Sequence, residues 1–368
     1  MRRGKVGYAV FGLGHIAQAA VLPAFAHAQR NSRLAALVSN DPKKLTELGK
    51  RYGVGHLYSY DQYEECFRSG EVDAVYIALP NNLHREYAVR AARAGVHVLC
   101  EKPMALTERD CRAMIRAAEK NKVKLMIAYR LHFEEANLKA VEIVRSGKLG
   151  EPRLFHSVFA MHVREGNIRT QEELGGGTLY DLGIYCINAA RYLFQGEPLE
   201  VMAARARGND PRFKEIDEMT SAILRFSGER LAVFTSSFGA ADASVYRVLG
   251  THGSLRVDPA YEYAMGLKHE LTIASKTQTR TFKKRDQFAP ELLYFSDCIK
   301  KNIEPEPSGR EGLADVRIIR ALHRSARTRK AVKLASFKRA KRPTLRQKIK
   351  RSAVVKPPEL VHAESASI

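Results

Sequence analysis

At 368 residues the chain exceeds what one hydrophobic core usually organises, and its 45% hydrophobic content excludes a wholly disordered protein. No apolar run reaches the roughly 18 residues that would span a bilayer. Five scattered cysteines without a C-x-x-C pair exclude a disulfide scaffold, and the histidines and cysteines show no metal-ligand spacing, so no metal is expected. The formal net charge of +21 is uneven, with a net +8 in residues 331–368 alone. Arg2 and Arg3 look like the start of an export signal. The run Val6–Phe11 leads straight into a glycine turn without a cleavage site, so a cytoplasmic location is expected.

The first 130 residues alternate short apolar runs with amphipathic stretches. Strands are predicted at Val6–Phe11, Leu34–Ser39, Ala74–Ala78, His97–Cys100 and Leu125–Ala128. Helices are predicted at about 15–28, 43–51, 83–94 and 107–121. Such alternation implies parallel strands joined by right-handed crossovers, a doubly wound α/β Rossmann sheet.

After about residue 150 strands follow one another directly, at Leu154–His162, Val201–Ala206, Thr220–Arg225, Leu231–Ser237, Val245–Leu249 and Ser254–Val257. This half reads as an α+β domain with a largely antiparallel open sheet. A glycine-led helix at about 176–194 lies within it, and helices at about 289–301 and 309–328 close it. The expected domains are 1–130, which binds the dinucleotide, and 131–330, which binds substrate and oligomerises. Residues 331–368 are expected to form a disordered basic tail, with too few large apolar residues to offset their ordering entropy. Solvated charge explains that tail without nucleic-acid binding.

Gly12-Leu13-Gly14-His15-Ile16-Ala17 follows the first strand and opens the first helix. The first glycine permits a tight turn, the second lets backbone approach a pyrophosphate, and the small sixth residue lets helix pack on strand. Free N–H groups at the helix start then face the phosphates. At the end of the second strand, where an NAD site usually carries an acid, stand Ser39 and Asn40. Ser39 can donate to a 2′-phosphate and Lys44 can neutralise it, so NADP is expected, with NAD possible. Asp41 reads as the cap of the next helix, ahead of Pro42.

Glu101-Lys102-Pro103-Met104-Ala105 follows a strand at the sheet edge where ligands of such folds bind. Gly175-Gly176-Gly177-Thr178-Leu179-Tyr180-Asp181-Leu182-Gly183-Ile184-Tyr185, then Asn188, leads the helix of the second half. Its i, i+4 spacing puts Asp181 and Tyr185 on one helical face. Arg164 and Arg169, just before it, read as surface charge, with reach to an anionic or polyhydroxylated ligand as the alternative.

On these motifs the chain, from about Lys5 to Val332, resembles the Gfo/Idh/MocA oxidoreductases, nearest their glucose–fructose oxidoreductase branch. The resemblance implies hydride transfer between a sugar or polyol hydroxyl carbon and a nicotinamide. It places Lys102, beside Glu101, next to nicotinamide and reacting hydroxyl, facing Asp181 and Tyr185 across a cleft. Tyr185 is then the general base, Lys102 polarises the substrate oxygen, and Asp181 binds a neighbouring hydroxyl; Lys102 as the proton shuttle is the alternative. Pro80, Asn81 and His84 resemble the family's turn near the nicotinamide. Arg130 and His132 resemble residues that line the substrate pocket. The resemblance and the open sheet together imply a homodimer or homotetramer. Relatives also suggest two alternatives, glycoside cleavage through transient NAD-linked oxidation and a non-enzymatic dinucleotide sensor. The branch's export signal and cofactor-trapping N-terminal arm are not matched, so exchangeable NADP is expected.

Overall fold

A computed structural model of the protein describes residues 4–337, 342–354 and 358–367. The chain divides into two units, one of Met1–Arg130, Asp286–Leu313 and Lys350–Ser365, the other of Leu131–Arg285, Ala314–Ile349 and Ala366–Ile368.

In the first unit the elements run β1 (Val6–Phe11), α1 (Leu22–His27), β2 (Ser32–Val38), α2 (Pro42–Tyr52), β3 (His56–Tyr58) and α3 (Tyr63–Arg68). They continue as β4 (Ala74–Ile77), α4 (His84–Arg93), β5 (His97–Glu101), α5 (Glu108–Lys120) and β6 (Leu125–Ala128). All six strands are parallel, in the order β3-β2-β1-β4-β5-β6. β1 and β4 are buried along their whole length, which is why they read as continuous apolar runs. The order reverses beside β1, and ligands of open α/β sheets bind at the carboxyl ends there. The first helical stretch is not one regular helix: a wide π turn, Ala17–Val21, precedes α1. β3 and α3 leave too short a pattern to be read from sequence.

The second unit begins with α6 (Glu135–Arg145), followed by β7 (Pro152–Ala160), α7 (Ile184–Leu193), β8 (Glu200–Ala206), β9 (Met219–Phe226) and β10 (Arg230–Ser237). β11 (Ala243–Gly250), β12 (Gly253–Val257), β13 (Lys268–Ile273) and β14 (Lys276–Thr281) complete the run. With β15 (Val332–Lys333) these strands form one sheet, β14-β13-β12-β11-β7-β10-β9-β8-β15. Only the β7–β10 pair is parallel. β9 alternates buried and exposed residues along its length. Met202 on β8 pairs with Ile223 on β9, and both, with Leu231 on β10, leave more than 40% of their surface exposed. One face of this sheet is therefore open.

The chain then supplies α8 (Ala289–Lys301) to the first unit and α9 (Gly309–Thr328), which passes from the first unit to the second after Leu313. No helix among the described residues is long and apolar enough to cross a membrane.

The tail, expected to be disordered, makes specific contacts in its described residues. Val332 pairs with Val201, the Leu334 N–H donates to the Leu199 carbonyl, and Arg342 bridges to Glu197 at 2.8 Å. Val361 and Ala366 are buried. Backbone pairing and single charged anchors hold the segment, and neither leaves a hydrophobic pattern in the sequence.

In the second unit His269 is buried and His323 half-buried, neither has a partner at Nε2, and desolvation pushes both imidazoles down to about 4. The unfolded chain titrates nearer 6.5, so it binds more protons between those values. Stability is expected to fall as pH drops from about 6.5 to about 4, by on the order of 3 kcal/mol for His269. Thermal unfolding across that range tests this: His269→Leu and His323→Leu should each flatten the acid slope, and an unchanged slope refutes it.

Candidate active site

The turn after β1 tolerates only glycine at its first position. Gly12 has φ +90, and a Cβ there would lie 2.5 Å from the Ala78 carbonyl oxygen. Its N–H donates to the Val38 carbonyl, tying β1 to β2. Gly14 is different: a Cβ would meet nothing within 4 Å. Its lack of a side chain is not demanded by packing and leaves room for a close-approaching group. Leu13 and Ala17 are buried, while His15 and Ile16 are half-buried. The residues fit a dinucleotide pyrophosphate on the following helix start. Beyond β2, Ser39 is nearly enclosed and its hydroxyl accepts from the Asp41 N–H at 3.2 Å. Asp41 caps α2 through the N–H groups of Lys43 and Lys44, so Lys44 sits in the first helical turn.

β5 delivers Lys102 to the carboxyl edge of the parallel sheet. Beneath it the Tyr76 hydroxyl donates to Glu101 Oε1 at 2.8 Å, and the Lys102 N–H donates to Glu101 Oε2. Burial raises the Glu101 carboxyl above its ordinary value, with the Lys102 charge opposing the shift. Glu291 on α8 is wholly buried, and burial together with the nearby Glu101 pushes its carboxyl well above its ordinary value. Arg130 belongs to this buried layer, donating to Gln287 and opposing the upward shifts of Glu101 and Glu291. Expected in a substrate pocket, Arg130 is brought here against Gln287.

Pro80 and Asn81 are half-buried in the turn after β4. His84, expected near the nicotinamide, meets two backbone carbonyls. It is fully enclosed, its ring nitrogens 2.8 and 2.9 Å from the Pro103 and Leu79 carbonyls, and burial lowers its basicity. It pins the Lys102-Pro103 loop to the β4 turn.

In the second unit the triple glycine docks one turn on another. A Cβ on Gly176 would lie 2.3 Å from the Arg169 carbonyl oxygen, and the Gly177 N–H donates to that same oxygen. This close approach lets Arg169 Nε donate to Asp181 Oδ2 at 2.7 Å. Burial disfavours the guanidinium charge, but Asp181 more than offsets it, and the Arg169 basicity is raised. Reading Arg169 as surface charge is thus corrected, and the signal that could have found it is its place ahead of a glycine cluster. Asp181 lies in a π turn, Leu179–Gly183, rather than a regular α-helix. Such turns recur at functional sites.

Tyr185 opens α7, its ring against Phe159 and Tyr261 at 5.5 and 5.8 Å. His132, expected in a substrate pocket, is enclosed and lies 2.8 Å from Asn188 Oδ1. Asn188 also donates to Asp315, and the buried Arg191 pairs with both Glu197 and Asp315. These contacts fix the helix that carries Tyr185.

Residues 6–129 match the family described as the oxidoreductase family with an NAD-binding Rossmann fold, and residues 137–256 match the Gfo/Idh/MocA C-terminal domain. This chain belongs to the Gfo/Idh/MocA oxidoreductase family. It is 32% identical over 340 residues to a D-xylose 1-dehydrogenase [NADP(+)] of Haloarcula marismortui, covering 89% of this chain and 93% of that protein. The structure of aldose-aldose oxidoreductase from Caulobacter crescentus with glycerol superposes with a TM-score of 0.86 at 40% identity, covering 90% of this chain and all of that one. A 3-ketoreductase of Actinomadura kijaniata with NADP and TDP-benzene superposes at 0.80 with 26% identity, covering 87% and 98%.

The two glycines should separate stability from binding. Gly12→Ala forces a clash and a strained φ, a cost of about 1–3 kcal/mol, and should lower the melting temperature and dinucleotide affinity together. Gly14→Val should leave the melting temperature nearly unchanged and weaken dinucleotide binding at least tenfold. Calorimetry and a fluorescence titration decide this; a Gly14→Val chain with intact affinity would remove the turn from the site.

Proposed function

We propose that this chain is an NADP-dependent oxidoreductase acting on a hydroxyl carbon of a sugar or polyol, with Lys102, Asp181 and Tyr185 as its reacting set. The Arg169–Asp181 pair carries this reading, because it holds a carboxylate ready to accept hydrogen bonds from a neutral polyhydroxylated ligand. The similarity to a xylose dehydrogenase and an aldose-aldose oxidoreductase supports the same substrate class.

Bound NADP(H) supplies the hydride chemistry. Gly12 to Ile16 offer backbone to its pyrophosphate, and Ser39 with Lys44 offer a hydroxyl and a positive charge to a 2′-phosphate. Pro80, Asn81 and Glu101 frame the approach to Lys102. Tyr185 takes the substrate's hydroxyl proton, Lys102 stabilises the phenolate and polarises the substrate oxygen, and Asp181 orients a neighbouring hydroxyl. The open face of the nine-stranded sheet, with exposed Met202, Ile223 and Leu231, is the surface for a homodimer or homotetramer.

An NADP⁺ reduction screen against aldoses and polyols tests the reaction. Lys102→Ala and Tyr185→Phe should each lower kcat by about 10²–10⁴-fold while NADP⁺ affinity stays within a few-fold. Asp181→Asn should raise KM more than it lowers kcat. Full activity in Tyr185→Phe would remove it from proton transfer, and release of free sugar without net cofactor reduction would replace the dehydrogenase reading with glycoside cleavage. Ile223→Lys should convert the oligomer to a monomer by light scattering; a wild-type monomer at micromolar concentration refutes the proposed interface.

A further inference from the structure

The first unit includes a piece of chain far from the rest of the Rossmann sequence. Gln18, one turn beyond Gly14, is fully enclosed, and its side-chain amide does the work of a neighbouring strand. Nε2 donates to the Leu13 and Val361 carbonyls, each at 2.8 Å, and Oε1 accepts from the Val361 N–H at 2.8 Å. Val361 is 4% exposed. His362, at φ 44, turns the chain, and its Nδ1 lies 2.9 Å from Asp41 Oδ2. Two residues before Val361, the Glu359 carbonyl accepts from Arg51 on α2 at 2.5 Å. Residues 359–362 therefore reach from the glycine turn to the capped start of α2, the two elements to which the proposed function assigns pyrophosphate and adenosine ribose.

The charge at that end needs explaining. An acid just after the second strand suits a ribose 2′-hydroxyl and repels a 2′-phosphate. Asp41 is such an acid, two residues past Ser39. One of its oxygens is taken by the Lys43 and Lys44 N–H groups, and the other meets His362. The His362 contact sets an imidazole on this carboxylate oxygen, which is then not left facing the ribose end alone.

We propose that residues 359–362 complete the cofactor site: they lie along the adenosine end of the dinucleotide, retain it, and through His362 on Asp41 admit a 2′-phosphate. This rests on NADP being the cofactor. It makes the C-terminal segment a determinant of cofactor specificity, set by a side chain more than 300 residues from the glycine turn.

Affinities for NADP⁺ and NAD⁺, and the release rate of NADPH, should be measured by fluorescence on the full chain, on full-length His362→Ala and Val361→Gly, and on a chain ending at Ile349. His362→Ala should weaken NADP⁺ about tenfold and change NAD⁺ less than twofold. Val361→Gly and the shortened chain should release NADPH at least tenfold faster. Unfolding curves of the two full-length variants show whether each is folded, so the result does not depend on the truncation. Wild-type preference for NADP⁺ with an unchanged ratio in His362→Ala overturns this inference alone. Tighter binding on shortening means that the segment competes with the dinucleotide and also overturns it. A wild-type chain that binds neither dinucleotide overturns this inference and the proposed function together.

Discussion

A guanidinium sealed from water is the constraint on which the second unit is built. Arg191 on α7 is fully enclosed, and an isolated charge there would be prohibitively costly. Glu197 meets it at 2.7 and 2.8 Å, and Asp315 on α9 meets it at 2.5 Å. Asp315 also accepts from Asn188, one turn earlier on the same helix. Replacing such a cluster with apolar residues can leave stability unchanged, so its role is better sought in specificity. α7 cannot rotate about its axis without stripping Arg191 of its carboxylates. The direction of Tyr185, at the start of that helix, is set by charges two turns away.

The parts of this design that were legible in the sequence are local. The glycine turn announces itself because its conformational demand, φ +90 at Gly12, is met by one residue type next to an apolar strand. The parallel order of the first sheet follows from strand–helix alternation, and the Glu101-Lys102-Pro103 motif from its place after β5. The glycine-led segment with Asp181 and Tyr185 is equally visible as a motif, whereas the π turn that holds Asp181 is not what its i, i+4 spacing implies.

What stayed hidden is set by pairing across distance or by which polar face is enclosed. A polar residue type does not say whether its partner will be a ligand or the protein itself. His84, Arg130 and His132 all look like ligands-in-waiting, yet carbonyls, Gln287 and Asn188 are their partners. β13 and β14 escape notice because most of their side chains are at least partly exposed, which erases the alternation that marks a strand. The tail escapes because Gln18 holds it by backbone, and backbone has no sequence signature.

The Arg169 contact also bears on where the proton goes in the proposed reaction. The Arg169 guanidinium takes one carboxylate oxygen of Asp181 at 2.7 Å and fixes the group in place. Asp181 is thereby suited to receive a further hydrogen bond and orient its donor. That leaves the phenol of Tyr185 and the amine of Lys102 as the groups able to carry the proton away. An ammonium group has donors and no lone pair, so in the proposed reaction the lysine is assigned to polarisation and the phenol to proton exchange. That is the division of labour we propose: the acid orients, the lysine polarises, and the tyrosine exchanges the proton.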